Sequence, residues 1–203
     1  MISFACFAPH PPIILPSVGS NSDREKVKAT IKSLELLRKD LEKSHSERII
    51  ISSPHPDWGF DVPLFFLAKN FKGVIQKILI GLDEPKDYFD LGKRIYKEEI
   101  KPLKEKIALI ASGDMSHVLR DDGPYGFHPD GPKFDEEFIQ ALKRKDIGKI
   151  LELNKIYPQA GECGLRSFAF VLGILEGGEI NWQAKILSYE FPFGVGYLVA
   201  RLV

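Results

Sequence analysis

The chain has 203 residues, of which 44% are hydrophobic, and these can bury the core of one domain over residues 1–203 without a disulfide or metal to stabilise it. Lysine and arginine together number 28, as do aspartate and glutamate, which excludes the basic field typical of proteins that bind nucleic acid or anionic membranes. The two cysteines, Cys6 and Cys163, are too few for a disulfide framework and lack zinc-finger spacing, so a reducing cytoplasm is the predicted compartment.

Strands and helices alternate in the first half of the chain. An apolar strand is predicted over residues 2 to 8, and Ser22 with Glu25 predicts a capping box at the start of a helix that runs to about Ser44. Further strands are predicted at Arg48 to Ser52, Val74 to Ile80 and Ile107 to Ala111, with a helical stretch at Tyr88 to Leu103. This alternation predicts a three-layer αβα fold with a mostly parallel central sheet.

A long loop and a helical region are predicted in the second half. Glycine, proline and aspartate are so frequent between Leu119 and Lys133 that this segment is predicted to be a loop. Helices are then predicted at Phe134 to Lys145, Ile147 to Asn154 and Glu162 to Glu176, followed by a pair of strands at Trp182 to Ser188 and Val195 to Leu202. No apolar run reaches the roughly 18 residues of a membrane span and the N-terminus lacks the basic start of a signal peptide, so no membrane segment is predicted.

Three of the five histidines directly follow predicted strands. His10 lies in APHPP, His55 in SPHPDW and His117 in SGDMSH. The carboxyl ends of parallel strands meet at one edge of a sheet, where ligands bind, so these three imidazoles are predicted to share one site. Imidazoles at one site indicate metal or proton chemistry, although each histidine taken alone is also explained as a packed loop residue.

Two residues near these histidines have two interpretations each. His128, in GPYGFHPDGP, either contacts a substrate in the same pocket or is an exposed loop residue. Asp114 either orients His117 or caps the turn that follows it.

The segment AGECGLRS supplies a candidate third metal ligand. Glu162 could complete two histidines into the two-histidine, one-carboxylate arrangement that leaves positions on Fe(II) open for oxygen and substrate. It could equally form an ion pair with Arg166, four residues later on the same face of a helix. Cys163 is a competing ligand, and as a buried small hydrophobic residue it would need no function.

The ordered motifs APHPP, SPHPDW, SGDMSH, GPYGFHPDGPKFD and GECGLRS resemble the class III extradiol ring-cleaving dioxygenase superfamily of the B-subunit type, over nearly the whole chain. The resemblance is strongest to the branch that contains the Memo proteins and the dioxygenase-like domain found with AMMECR1 domains. It implies that residues 1–203 form a single domain of this extradiol dioxygenase type. It also implies a separate AMMECR1-domain protein as a partner, because this chain has no such domain.

The resemblance implies a role for each candidate residue. His10 and His55 match metal ligands, and His117 matches the catalytic acid/base. Glu162 matches the third ligand, with Cys163 as the alternative because Memo-like members have a cysteine before the corresponding glycine. The implied cofactor is Fe(II), with copper or zinc as alternatives, and the implied substrates are O2 and a small aromatic molecule that His128 would contact.

Other functions are compatible with the same residues. A Memo-like metal-binding or redox protein would use Cys163 as a ligand, whereas a metal-dependent hydrolase would use His117 as a proton shuttle. A binding module would use the cleft without a metal. Edge strands and proline-rich loops are compatible with a homo-oligomer.

Overall fold

A six-stranded sheet lies at the centre of the computed structural model, which describes all 203 residues. The strands are β1 (Ile2–Ala8), β2 (Arg48–Ser53), β3 (Val74–Leu79), β4 (Ile107–Ser112), β5 (Lys185–Glu190) and β6 (Tyr197–Arg201). They lie in the order β3-β2-β4-β1-β6-β5. The first four strands in this order are parallel, and β6 and β5 join antiparallel, which confirms the predicted mostly parallel sheet.

Helices cover both faces of this sheet, which confirms the predicted three-layer fold. They are α1 (Asn21–Lys26), α2 (Lys28–Ser44), α3 (Trp58–Leu67), α4 (Pro85–Ile95), α5 (Asp130–Arg144), α6 (Ile147–Ile156) and α7 (Leu165–Gly177). One core, on the side of α4 to α7, includes Phe7 and Phe168, and the other, beneath α2 and α3, includes Cys6 and Leu37. Alternate residues of β1 therefore serve opposite cores, as the twofold periodicity of a strand requires.

Several predicted boundaries differ from the structure. The capping box at the first helix is formed by Ser20 and Asp23, two residues before the predicted pair, because the shorter aspartate at the third position also reaches back to the cap. The predicted helix to Ser44 is interrupted at Val27. The predicted loop ends before Asp130, where α5 begins, since the first turn of a helix tolerates a proline such as Pro132.

Helix α3 was not predicted, and α7 begins later than predicted. Apolar residues occupy nearly every position of α3, so its sequence shows no one-sided periodicity, and Pro63 lies inside the helix. The last helix begins at Leu165, three residues after the predicted Glu162. Residues 161–164 are therefore free to form the turn that carries Glu162 and Cys163. No helix of this structure is both long and apolar enough to cross a membrane.

Candidate metal centre

The carboxyl ends of three adjacent strands bring the three histidines together. In the sheet β4 lies between β1 and β2, so the segments that follow these strands meet at one edge. The imidazole centroids of His10 and His55 are 5.1 Å apart. Both rings and that of His117 line one cavity of about 740 Å3. The predicted shared site is thus present as a geometric arrangement, with room for a small aromatic molecule.

Hydrogen bonds fix the protonation of the His10 ring. The hydroxyl of Ser112 donates to the backbone carbonyl of Gly59, so its oxygen is left to accept a hydrogen bond. The Nδ1 of His10 lies 2.9 Å from that oxygen and must therefore be the nitrogen that carries the proton. Its Nε2 therefore carries the lone pair, as in metal-binding histidines whose other ring nitrogen is held by a hydrogen bond.

The same ring stays neutral over the physiological range. His10 is only 2% exposed, and burial together with the nearby His55 lowers its pKa to about 3. A neutral imidazole is the form that binds a metal ion. Burial and hydrogen bonding therefore hold His10 in the neutral form that a metal ligand requires.

Cys163 completes a compact group with these two histidines. Its Sγ lies 3.4 Å from His10 Nε2, and one ligand atom each from His10, His55 and Cys163 lies within 4.8 Å of the other two. Burial raises the pKa of the Cys163 thiol well above its usual value, and no cationic partner offsets this effect. A bound metal ion would supply the missing positive charge and deprotonate the thiol.

The turn before α7 sets the position of Cys163. Gly161 adopts a left-handed conformation with φ of 64°, which residues with a Cβ rarely adopt. The backbone N–H of Gly164 donates to Asp114 O at 2.9 Å, and a Cβ on Gly164 would collide with the Phe168 ring at 2.6 Å. Gly161 and Gly164, which flank Glu162 and Cys163, therefore let this turn approach the segment after β4 closely.

The side chain of Glu162, the predicted carboxylate ligand, bonds to the first turn of the helix that follows it. Its carboxylate accepts a hydrogen bond of 2.7 Å from Leu165 N–H and lies 3.3 Å from Arg166 Nη1. Glu162 lines the cavity but is absent from the groups of side chains close enough to share an ion. The structure thus brings Cys163 to the two histidines and engages Glu162 in the ion pair that the sequence offered as its alternative role.

Asp114 is a buried carboxylate beside this group. Its Oδ1 accepts a hydrogen bond of 3.0 Å from the backbone N–H of His10, a role that the sequence analysis did not include. Burial raises the pKa of Asp114 to about 6, while His117 acts in the opposite direction. Ligand atoms of Asp114, His117 and Cys163 also lie within 4.8 Å of one another. The Asp114 carboxylate therefore bonds to the main chain of His10 and also lies close to the side chains of His117 and Cys163.

His117 has a buried ring nitrogen without a hydrogen-bond partner. Its Nε2 has no accessible surface, and its ring lies 5.2 Å from that of Tyr125 with the two planes tilted by 33°. Burial lowers the pKa of His117, and Asp114 partly offsets this effect. A buried polar nitrogen without a partner is costly unless a ligand uses it. The donor set and this free nitrogen together fit a metal ion with a bound substrate.

A buried network behind His117 positions it. Asp135 Oδ1 accepts a hydrogen bond of 2.8 Å from Ser116 N–H, and the other carboxylate oxygen accepts one from Tyr189 O–H. The Ser116 hydroxyl donates to Ala160 O at 2.6 Å. Neither Asp135 nor Ser112 was identified from the sequence, because nothing in the local pattern distinguishes a residue that supports the site from an ordinary polar one.

Two aromatic side chains share the cavity with the histidines, whereas the predicted substrate contact His128 lies outside it. Tyr125 and Trp58 line the cavity, and the Trp58 ring lies 5.1 Å from that of His55. His128 does not line it, and its Nδ1 accepts a hydrogen bond of 3.2 Å from Asp130 N–H at the start of α5. Phe127 lies in a different surface pocket. The structure thus gives His128 a local role at a helix terminus.

Comparisons with known proteins are consistent with this arrangement. Residues 53–200 match the family described as the catalytic LigB subunit of aromatic ring-opening dioxygenase. Protein CA_C1420 of Clostridium acetobutylicum is 31% identical over 266 aligned positions, which include 96% of this chain and 56% of that protein. The chain therefore spans about half the length of this relative. The crystal structure of the uncharacterized protein JW3007 from Escherichia coli K12 has the same fold, with a TM-score of 0.67, 15% identity, and coverage of 99% of this chain and 100% of that one.

Proposed function

The chain belongs to the LigB family of aromatic ring-opening dioxygenases, and on that premise we propose that it is a metal-dependent extradiol dioxygenase that cleaves a catecholic ring with O2. The observation that carries this proposal is the meeting of His10, His55 and Cys163 beside the free Nε2 of His117. Fe(II) is the proposed ion. A small aromatic molecule fits the cavity of about 740 Å3.

Each residue has a separate part in the proposed reaction. His10 and His55 would hold the ion, with Cys163 or Glu162 as the third ligand. The bound ion would supply orientation and charge stabilisation to the two catechol oxygens and to O2. His117 would accept a proton from a catechol hydroxyl at Nε2 and later return it, for which a neutral imidazole is suited. Tyr125 and Trp58 would pack against the flat ring.

A second candidate function follows from the position of Cys163. A thiolate ligand favours softer ions such as Cu(I) or Zn(II) over Fe(II). With Cys163 in place of a carboxylate, the site would suit metal binding or redox chemistry, which is the Memo-like alternative given by the sequence. With this second function His117 would have no substrate proton to move.

One experiment separates these functions. We expect protein purified without oxygen to contain about one equivalent of iron and to consume O2 when catechols are added. Tight binding of copper or zinc without O2 consumption would favour the metal-binding alternative. Ester or amide turnover in the absence of oxygen would instead indicate a hydrolase. Failure to bind any divalent metal would leave only a binding module and would contradict the proposal.

Substitutions at the two candidate third ligands should have different effects. We expect Cys163→Ala to lower metal affinity strongly, because Sγ lies 3.4 Å from His10 Nε2. Glu162→Gln should keep the metal and lower stability by about 1 kcal/mol through a weaker helix cap. Metal titration and thermal unfolding of both variants measure these effects. The reverse result, with metal lost only in the Glu162 variant, would restore the two-histidine, one-carboxylate site.

Some wider assignments also remain proposals. We place the chain in the Memo-like branch, and we propose a separate AMMECR1-domain protein as its partner. A cytoplasmic location and a homo-oligomeric state are proposed on the same terms.

A further inference from the structure

No lysine or arginine side chain lines the cavity that contains the three histidines. Its lining instead includes two acidic side chains, Asp114 and Glu162, and the thiol of Cys163. Aromatic rings form much of the remaining wall, among them Trp58, Tyr125 and Tyr197. A ligand inside this cavity therefore meets π-faces and has no lysine or arginine side chain to pair with.

The charges near the cavity are already balanced within the protein. Arg166, which reaches Glu162 at 3.3 Å, also donates from Nε to Asp83 O at 2.6 Å, so its guanidinium is engaged. With a divalent ion bound, a Cys163 thiolate and the Asp114 carboxylate would together neutralise its two positive charges. The site consequently offers no surplus positive charge to an anionic substituent.

Two positive side chains lie in a neighbouring depression. Lys26 and Arg120 line a surface pocket that shares only Pro124 and Phe193 with the cavity. Arg120 is paired with Asp122 at 2.7 and 2.8 Å, and the Lys26 ammonium lies over the Phe193 ring at 5.5 Å from its centroid. Both positive side chains thus have partners of their own, and neither lines the cavity.

We infer that this site selects catechols with a neutral or cationic ring substituent and rejects those with a ring carboxylate. The inference rests on the proposed function, because it concerns the substrate of the same site. A carboxylate buried without a counter-charge loses its hydration and gains no partner in return. A cationic substituent would meet the aromatic wall, whose π-faces attract it.

Binding of three matched catechols tests this selectivity. The probes are 3,4-dihydroxybenzamide, 3,4-dihydroxybenzoate and 3,4-dihydroxybenzylamine, which differ mainly in the charge of one substituent. Calorimetric titration of the Fe(II)-loaded protein without oxygen measures binding separately from turnover. We expect the amide and the amine to bind and the benzoate to bind at least about tenfold more weakly, as one unfavourable charge at short range implies.

A pair of variants at an exposed position provides the control. Tyr125 is 63% exposed at the cavity mouth, so either replacement should be tolerated by the fold. We expect Tyr125→Arg to reduce or reverse the preference for the amide over the benzoate, and Tyr125→Gln to keep the preference of the unmodified protein. An equal change in both variants would mean that the ring of Tyr125, and not the charge of the cavity, sets the preference, which would overturn the inference.

The remaining outcomes separate this inference from the proposed function. Benzoate that binds as tightly as the amide overturns the selectivity alone, and loss of that binding in Lys26→Gln would identify the rim lysine as its partner. If none of the three catechols binds the metal-loaded protein, the proposed function is wrong, and the selectivity is wrong with it.

Discussion

Replacement of His10 by alanine is expected to abolish stoichiometric metal binding and all turnover that depends on the metal. The hydrogen bond between Nδ1 and Ser112 leaves the lone pair of the ring on Nε2, and Cys163 Sγ lies 3.4 Å from that atom. His55→Ala should have the same effect, because it removes the second imidazole from the same group. Metal content of the purified and reloaded variants measures both losses.

Two controls distinguish loss of a ligand from loss of the fold. His10 is buried, so its replacement leaves a small cavity and removes the hydrogen bond that Ser112 Oγ accepts, and the melting temperature of this variant should fall. His55 is partly exposed, and its alanine variant should melt close to the unmodified protein. His128→Ala removes an imidazole outside the cavity and should keep the full metal content. Unchanged metal content in both the His10 and His55 variants would contradict the proposed site.

The convergence of the three histidines could be predicted from the sequence because it depends on topology. Apolar strands that alternate with helices form a parallel sheet, and the ends of its strands meet at one edge. His10, His55 and His117 each follow such a strand, so no knowledge of side-chain contacts was needed to place them together. The order of the strands, with β4 between β1 and β2, was supplied only by the structure.

The choice between Glu162 and Cys163 could not be made from the sequence because it depends on the direction of side chains within one turn. In a helix that began at Glu162, the carboxylate would point in a different direction from the one it has in the observed turn, after which the helix begins at Leu165. The hydrogen bond from Leu165 N–H then draws that carboxylate to the helix terminus. Neighbouring residues in a turn point in different directions, and which one faces His10 depends on tertiary contacts such as the close packing of Gly164 against Phe168.

Long-range hydrogen bonds were also beyond sequence reasoning. Ser112 and Gly59 are 53 residues apart, yet their contact fixes the tautomer of His10. Asp135 supports the segment of His117 through Ser116 from a helix whose local pattern indicates only an amphipathic surface. His128 is the reverse case: it is close in sequence to the site and was predicted to contact a substrate, yet its ring accepts a hydrogen bond from the nearby Asp130 N–H.

Substitution of His117 should slow turnover while the metal and the substrate still bind. Its Nε2 is buried without a partner, which suits transfer of a proton to and from a bound catechol. A general acid/base typically contributes about 10² to 10⁴ in rate, so kcat of His117→Ala should fall by roughly that factor. His117→Gln can form hydrogen bonds but cannot carry the proton, and it should be comparably slow. Oxygen consumption by the iron-loaded variants measures the rate.

The pH profile gives a readout that a structural role for His117 would not change. Burial lowers the pKa of His117, so its neutral, proton-accepting form persists to a lower pH than that of an exposed histidine. Turnover by the unmodified protein should therefore fall as the pH drops through this lowered pKa, and the residual turnover of both variants should lack that decline. Loss of metal in His117→Ala would make the residue a ligand, as the group Asp114, His117 and Cys163 allows. Unimpaired turnover with an unchanged profile would instead make it structural.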